Sequence, residues 1–142
     1  MAKPVVNFIS LLPDFTLKNK SAVKKWILNS IKKEKKQAGE IAVVFCSDEY
    51  LLDINRKYLK HNYLTDIITF QNTDNEHVSG DIMISVDRVA ENAATLKVDF
   101  KDELHRVIIH GVLHLCGYKD KSPSHKKQMT SKEDYYLTLR TF

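Results

Sequence analysis

Cysteine is scarce in this chain, and the two present, Cys46 and Cys116, lie far apart and form no C-x-x-C pair. Neither a disulfide framework nor a cysteine-built zinc ribbon is expected. Four glycines and three prolines are too few for a collagenous, elastic or proline-rich linker protein. No apolar run approaches the ~18 residues needed to span a bilayer. The opening MAKPVVNFISLLPDF has one Lys and a short apolar run but no small-residue cleavage pattern before Pro13. No signal peptide is expected, and the protein reads as cytoplasmic. The remainder is ordinary for a soluble globular protein, with 43% hydrophobic and 28% charged residues over 142 positions. That length points to one domain, residues 1–142. A chain of this size buries roughly two-thirds of its unfolded surface and needs no staple merely to fold.

The charge excess is local. Net charge is +4, and between Lys18 and Lys36 eight lysines face a single acid, Glu34. Such a cluster attracts polyanions, nucleic acid above all. On charge alone a solvated helix face explains it better.

Hydrophobic periodicity sets the elements. Val5–Ser10 reads as a short strand. A helix is expected from about Ser21, its N-cap, to about Gln37, with Gly39 just beyond as the stop. Val23, Trp26, Ile27 and Ile31 recur at helical spacing and should face the core, with Lys25, Lys32 and Lys36 opposite. Glu40–Cys46 is β-branched and apolar, hence a strand. Ser47 caps a helix over Asp48–Leu59 that packs Leu51, Leu52, Ile54 and Tyr58. Strands are expected at Thr65–Gln71 and Gly80–Val86. Helices are expected at Asp87–Lys97 (through Val89, Ala90, Ala93, Ala94 and Leu96), Asp102–Cys116 and Ser124–Leu139. Strands first and helices gathered late suit an α+β domain, a small mixed sheet packed by helices.

The informative segment is Glu103–Asp120. From Val107 to Cys116 it is apolar except at His110 and His114, so the helix should be buried with both imidazoles on one narrow stripe. Two buried imidazoles need polar partners, and a divalent metal satisfies both at once. Gly117 and Asp120 follow at +7 and +10 from His110, the spacing of the extended metzincin zinc motif. Glycine past the last turn lets the chain reverse and return residue 120 over the stripe. Two nitrogens and one returning ligand leave a fourth tetrahedral position for water. A carboxylate ligand is acceptable to zinc and hardens the site. His125 is the alternative third ligand, and two core histidines bonded to neighbours are the alternative to any metal. The Glu that acts as base in H-E-x-x-H peptidases is here Gly111, which argues against a peptidase. Cys116 reads as core, and His105 and Arg106 as solvent-exposed.

HGVLHLCGYKD resembles the H-G-x-L-H-L-x-G-Y-D-H motif of the YbeY endoribonucleases, bacterial rRNA maturation factors. Leu64-Thr-Asp-Ile-Ile-Thr-Phe70 is similar to the family's P-T-D-V-L-S-F strand, and Gly80-Asp-Ile-Met-Ile-Ser85 to its G-D-I-x-I-S strand. Asn55 and Tyr58 fit its N-x-x-Y helix, and Met129 and Glu133 fall where the family tends to have Met and Glu. The resemblance implies an α+β fold with a metzincin-like metal site. It implies a Zn²⁺-dependent, single-strand-specific endoribonuclease acting at the small-subunit rRNA 3′ end and in ribosome quality control. Its partners would be rRNA and the small ribosomal subunit with its proteins. The ligands carried over are His110, His114 and Asp120, one Zn²⁺ per chain. Two positions depart from the pattern: Asp120 stands where the family has histidine, and Leu59 where it has arginine. Arg56, Lys60 or His61 would have to supply that positive charge. Asp66 and Asp81 are the candidate general bases, each equally open to a structural or ligand-orienting role. Lys60, Lys25, Lys32 and Lys36 are expected to hold the RNA backbone.

Overall fold

The computed structural model describes residues 3–74 and 76–142. The elements run β1 (Val5–Ser10), α1 (Lys20–Lys33), β2 (Gln37–Cys46), α2 (Asp48–Leu59), β3 (Ile67–Gln71), β4 (His77–Ser85), α3 (Val86–Leu96), α4 (Phe100–Leu115) and α5 (Pro123–Thr138). The strands form one mixed sheet in the order β1-β2-β4-β3, the first two contacts parallel and β3 antiparallel to β4. The class is that expected, a small mixed sheet packed by helices.

Alternation along the strands decides which face is covered. Ile41, Val43 and Phe45 of β2 share a face with Ile82 and Ile84 of β4, and all five are buried. Against that face pack α1, through Val23, Ile27 and Ile31, and α4, through Ile108, Val112 and Leu115. On the other face α2 covers only one end, where Leu51 meets Cys46 and Ile68. Trp26 is a core anchor, its Nε1 donating to the Tyr136 carbonyl at 2.8 Å. Both cysteines are buried free thiols.

Several boundaries differ from expectation. Helix α1 ends at Lys33 and not near Gln37, because Lys35 takes a left-handed φ of 62° and turns the chain straight into β2. Gly39 is therefore no helix stop but lies inside β2, where the register slips between Ala38 and Ile41. The N-cap is Asn19, and Ser21 is already helical. Strand β4 starts three residues before Gly80, and α4 two before Asp102. Tyr58 is 69% exposed, since Leu51 and Asn55 carry the buried face of α2 and Tyr58 only rests edge-on against Phe70. In α3 only Val89 and Ala93 are buried, and Ala90, Ala94 and Leu96 face solvent.

A candidate metal centre at the end of helix α4

Helix α4 presents His110 and His114 one turn apart, ring centroids 4.6 Å apart, with side chains 21% and 24% exposed. The helix closes through Gly117, whose φ of 107° is one that few other residues adopt, while Tyr118 donates its amide to the Leu113 carbonyl. The chain then doubles back. Asp120 Oδ2 comes to 3.1 Å from His110 Nε2 and 3.2 Å from His114 Nε2. These three ligand atoms form the one metal-sized group of His, Cys, Asp or Glu among the described residues.

The far side of each ring is occupied. His114 Nδ1 donates to the Tyr118 carbonyl at 2.9 Å, since a carbonyl can only accept. His110 Nδ1 donates to Glu133 Oε2 at 2.6 Å. With the protons on Nδ1, both Nε2 lone pairs face the Asp120 carboxylate. Three acceptors converging within this distance fit a divalent cation of borderline character, which is the donor chemistry of zinc. Burial opposes a charge on His110, yet Glu133, Asp120 and Asp66 outweigh it and raise the pKa above the ordinary histidine value.

The site opens into a cleft of about 460 Å³ whose walls include Thr65, Asp66, Glu103, Arg106 and Glu133. Arg106 bridges Glu133 (2.8 Å) and Asp134 (2.6 Å) on α5, which holds Glu133 in place behind His110. Asp66 accepts from Asn92 of α3 at 3.1 Å, and burial raises its pKa above the usual carboxylate range. Glu103 is 6% exposed, and burial followed by the Asp66 charge raises its pKa too.

Of the residues singled out from sequence, His110, His114, Asp120 and Asp66 come together. His125 does not: it is exposed at the start of α5, outside the ligand group. Asp81 is exposed among Asn7, Ala42 and Phe70 on the sheet face turned away from α4, so it cannot serve this cleft as a base. Lys60 is exposed at the left-handed C-cap of α2. Lys25, Lys32 and Lys36 are exposed along α1 and just past it, and none lines the cleft. Arg56 is tied to Asn62 at 2.6 Å, and Leu59 is 42% exposed. Two expectations of exposure fail: His105 is 3% exposed, and Arg106 is half-buried in its ion pairs. Glu103 was missed, although its spacing of seven residues before His110 places it on the ligand stripe.

Fold and site together define a mixed α/β protein with a helix-borne candidate metal centre at the floor of an acidic cleft. Comparison with known proteins narrows this. The family model described as Endoribonuclease YbeY matches residues 13–140. An Endoribonuclease YbeY of Cytophaga hutchinsonii is 46% identical over 143 aligned positions, covering 100% of both chains. That of Flavobacterium psychrophilum is 49% identical over 126 positions, covering 89% of this chain and 90% of its own. A protein of Thermotoga maritima solved in solution superposes with a TM-score of 0.66 at 26% identity, over 94% of this chain and 87% of that one. This chain belongs to the YbeY endoribonuclease family.

Proposed function

We propose that the chain acts as one domain that cuts single-stranded RNA at the α4 cleft, with one divalent metal ion, zinc by its donor set, held by His110, His114 and Asp120. The carrying observation is the convergence of both Nε2 atoms on Asp120, with each Nδ1 already committed elsewhere. When bound, the ion supplies a water of lowered pKa and polarises a phosphoryl oxygen.

The chain's own residues do the rest. Glu133 and the Tyr118 carbonyl fix the tautomer and aim of the two rings. Asp66, buried beside them with a raised pKa, is the carboxylate suited to take a proton from the attacking water. Arg106 keeps Glu133 oriented. Lys60, with Lys25, Lys32 and Lys36 further out, draws the phosphate backbone in without reading sequence.

We assign the activity to maturation of the small-subunit rRNA 3′ end and to ribosome quality control in the cytoplasm. The small ribosomal subunit and its proteins are then the partners. No helix among the described residues is long and apolar enough to cross a membrane.

Peptide hydrolysis by the usual base is sterically blocked. A Cβ on Gly111 would sit 2.7 Å from Ile82 and 2.8 Å from Ile67, so the Glu of a peptidase helix has no room. The test offers metal-loaded protein a single-stranded RNA, the same RNA as a duplex, and an unstructured polypeptide. Cleavage of the single strand alone is expected, abolished by chelator and restored by zinc, with metal analysis giving one ion per chain. Cleavage of only the polypeptide, or chelator-resistant RNA cleavage, would end this reading.

A further inference from the structure

The connection from α2 to β3 carries a feature that the metal site does not use. At the end of α2 and within this connection, Tyr58, Leu59, Tyr63 and Leu64 are 69%, 42%, 55% and 46% exposed. Single exposed apolar residues are ordinary, but four within seven residues of chain mark a stretch suited to a partner. This group is held in a fixed arrangement. Asn55, 1% exposed, donates its side-chain Nδ2 to the Tyr63 carbonyl at 2.9 Å, and its own carbonyl accepts the His61 amide at 3.1 Å. The Arg56 bond to Asn62 and the left-handed Lys60 complete the shape. On this frame the His61 and Tyr63 rings stack, centroids 5.2 Å apart at 26°, with the Tyr63 hydroxyl 3.1 Å from His61 Nδ1.

We propose that the stacked His61–Tyr63 pair is a nucleobase platform that seats the single strand entering the cleft, with Lys60 and Arg56 on its phosphates. This rests on the reading of the chain as a single-strand endoribonuclease. Three observations favour RNA as the occupant. The chain passes from Leu64 directly into Thr65 and Asp66, which line the cleft, so Tyr63 stands two residues of chain from the cleft wall. Arg56 and Lys60 lie in the same stretch of chain as the rings, whereas Lys57 is paired with Asp53 at 3.2 Å. Flat aromatic faces beside cations match unstacked bases joined by phosphates. A duplex, whose base faces are covered, gains nothing from them.

The test follows fluorescence anisotropy of a labelled single-stranded oligoribonucleotide on the full chain, with chelator present so that the strand survives. Tyr63→Leu keeps apolar area and removes the ring face; Tyr63→Phe keeps the ring. Tyr63→Leu is expected to weaken binding roughly tenfold, and Tyr63→Phe by less than about twofold. On a strand with abasic sugars, wild type and Tyr63→Leu should bind alike. KM of the metal-loaded protein for the intact strand should rise by a matching factor.

Equal binding of the intact strand by wild type and Tyr63→Leu overturns the platform. So does a Tyr63→Leu defect that persists undiminished on the abasic strand. A variant that binds RNA normally but no longer retains isolated small-subunit proteins would make the patch a protein-docking surface and also overturn it. Failure of the underlying reading looks different: metal-loaded wild type then leaves RNA uncut, whatever the binding data show.

Discussion

Glu34, the single acid among the eight lysines of the first helix and its flanks, turns inward. Its carboxylate, 8% exposed, accepts from Tyr118 at 2.5 Å, Lys132 at 3.1 Å and the Tyr136 hydroxyl. Burial opposes its charge, but those three donors outweigh burial and hold the pKa below the ordinary glutamate value. The same Tyr118 lends its carbonyl to His114, so Glu34 steadies one candidate metal ligand at second hand. Glu34→Gln should cost about 2–3 kcal/mol in urea unfolding at neutral pH. Because the folded pKa is depressed, that stabilisation is present above the unfolded pKa and fades as pH falls through the folded one. The gap between wild type and variant should therefore narrow in acid, and a gap independent of pH would refute the ionic account.

His105 behaves in the opposite way at the same scale. Buried against Trp26 and Phe142, it accepts from Arg140 at 2.8 Å, and burial, then the Arg140 charge, push its pKa down to about 4. An unfolded histidine titrates near ~6.5, so between these values the unfolded chain binds more protons. Stability should fall by on the order of 2–3 kcal/mol as pH drops through that window. His105→Gln keeps an acceptor for Arg140 but has no proton to take up. Its urea midpoint should lose most of this slope. His110, whose raised pKa works with the reverse sign, is common to both proteins and cancels in the comparison.

At the scale of elements, α4 can lie close to the sheet because Gly111 has no side chain where it crosses Ile82 and Ile67. Gly111→Ala gains helix propensity worth about 1 kcal/mol, but overpacking of two β-branched neighbours costs about 1–3 kcal/mol. The net should be a loss of up to about 2 kcal/mol, or up to about 7 °C in Tm by calorimetry. An unchanged or raised Tm would mean the sheet yields freely. Sequence reading caught the helix that carries the site because an unbroken apolar run with two polar interruptions has few other solutions. The returning carboxylate was legible for a local reason as well, since Gly117 and the ligand spacing are written in consecutive residues. Other features were illegible because tertiary packing decides them. The end of α1 depends on a left-handed Lys35, a residue type that does not advertise such a turn. Tyr58 sits at the right spacing for burial, yet it meets the sheet only edge-on at Phe70 and stays exposed. Asp81 and Asp66 look alike in sequence; only the register of β4 sends the first to the wrong face.

For the whole molecule, the question is whether a metal bound at the candidate centre would build the fold or only the site. The main buried cluster joins α1, α4, α5 and the sheet through side chains such as Trp26, Phe45, Ile108 and Tyr136, none of which is a ligand. The ligand group, by contrast, spans only residues 110–120, closing a short loop already reversed by the Gly117 turn and the Tyr118–Leu113 bond. Such a site adds stability by mass action and is not a condition of folding. Metal-free protein should therefore keep its full helical circular dichroism and a cooperative thermal transition. Zinc at a hundred times its Kd should add about 2.7 kcal/mol, or roughly 9 °C in Tm. Asp120→Ala should fold as well as metal-free wild type and show little of that gain. A chelated protein that instead loses its cooperative transition would make the ion structural, as in small zinc domains that unfold without metal.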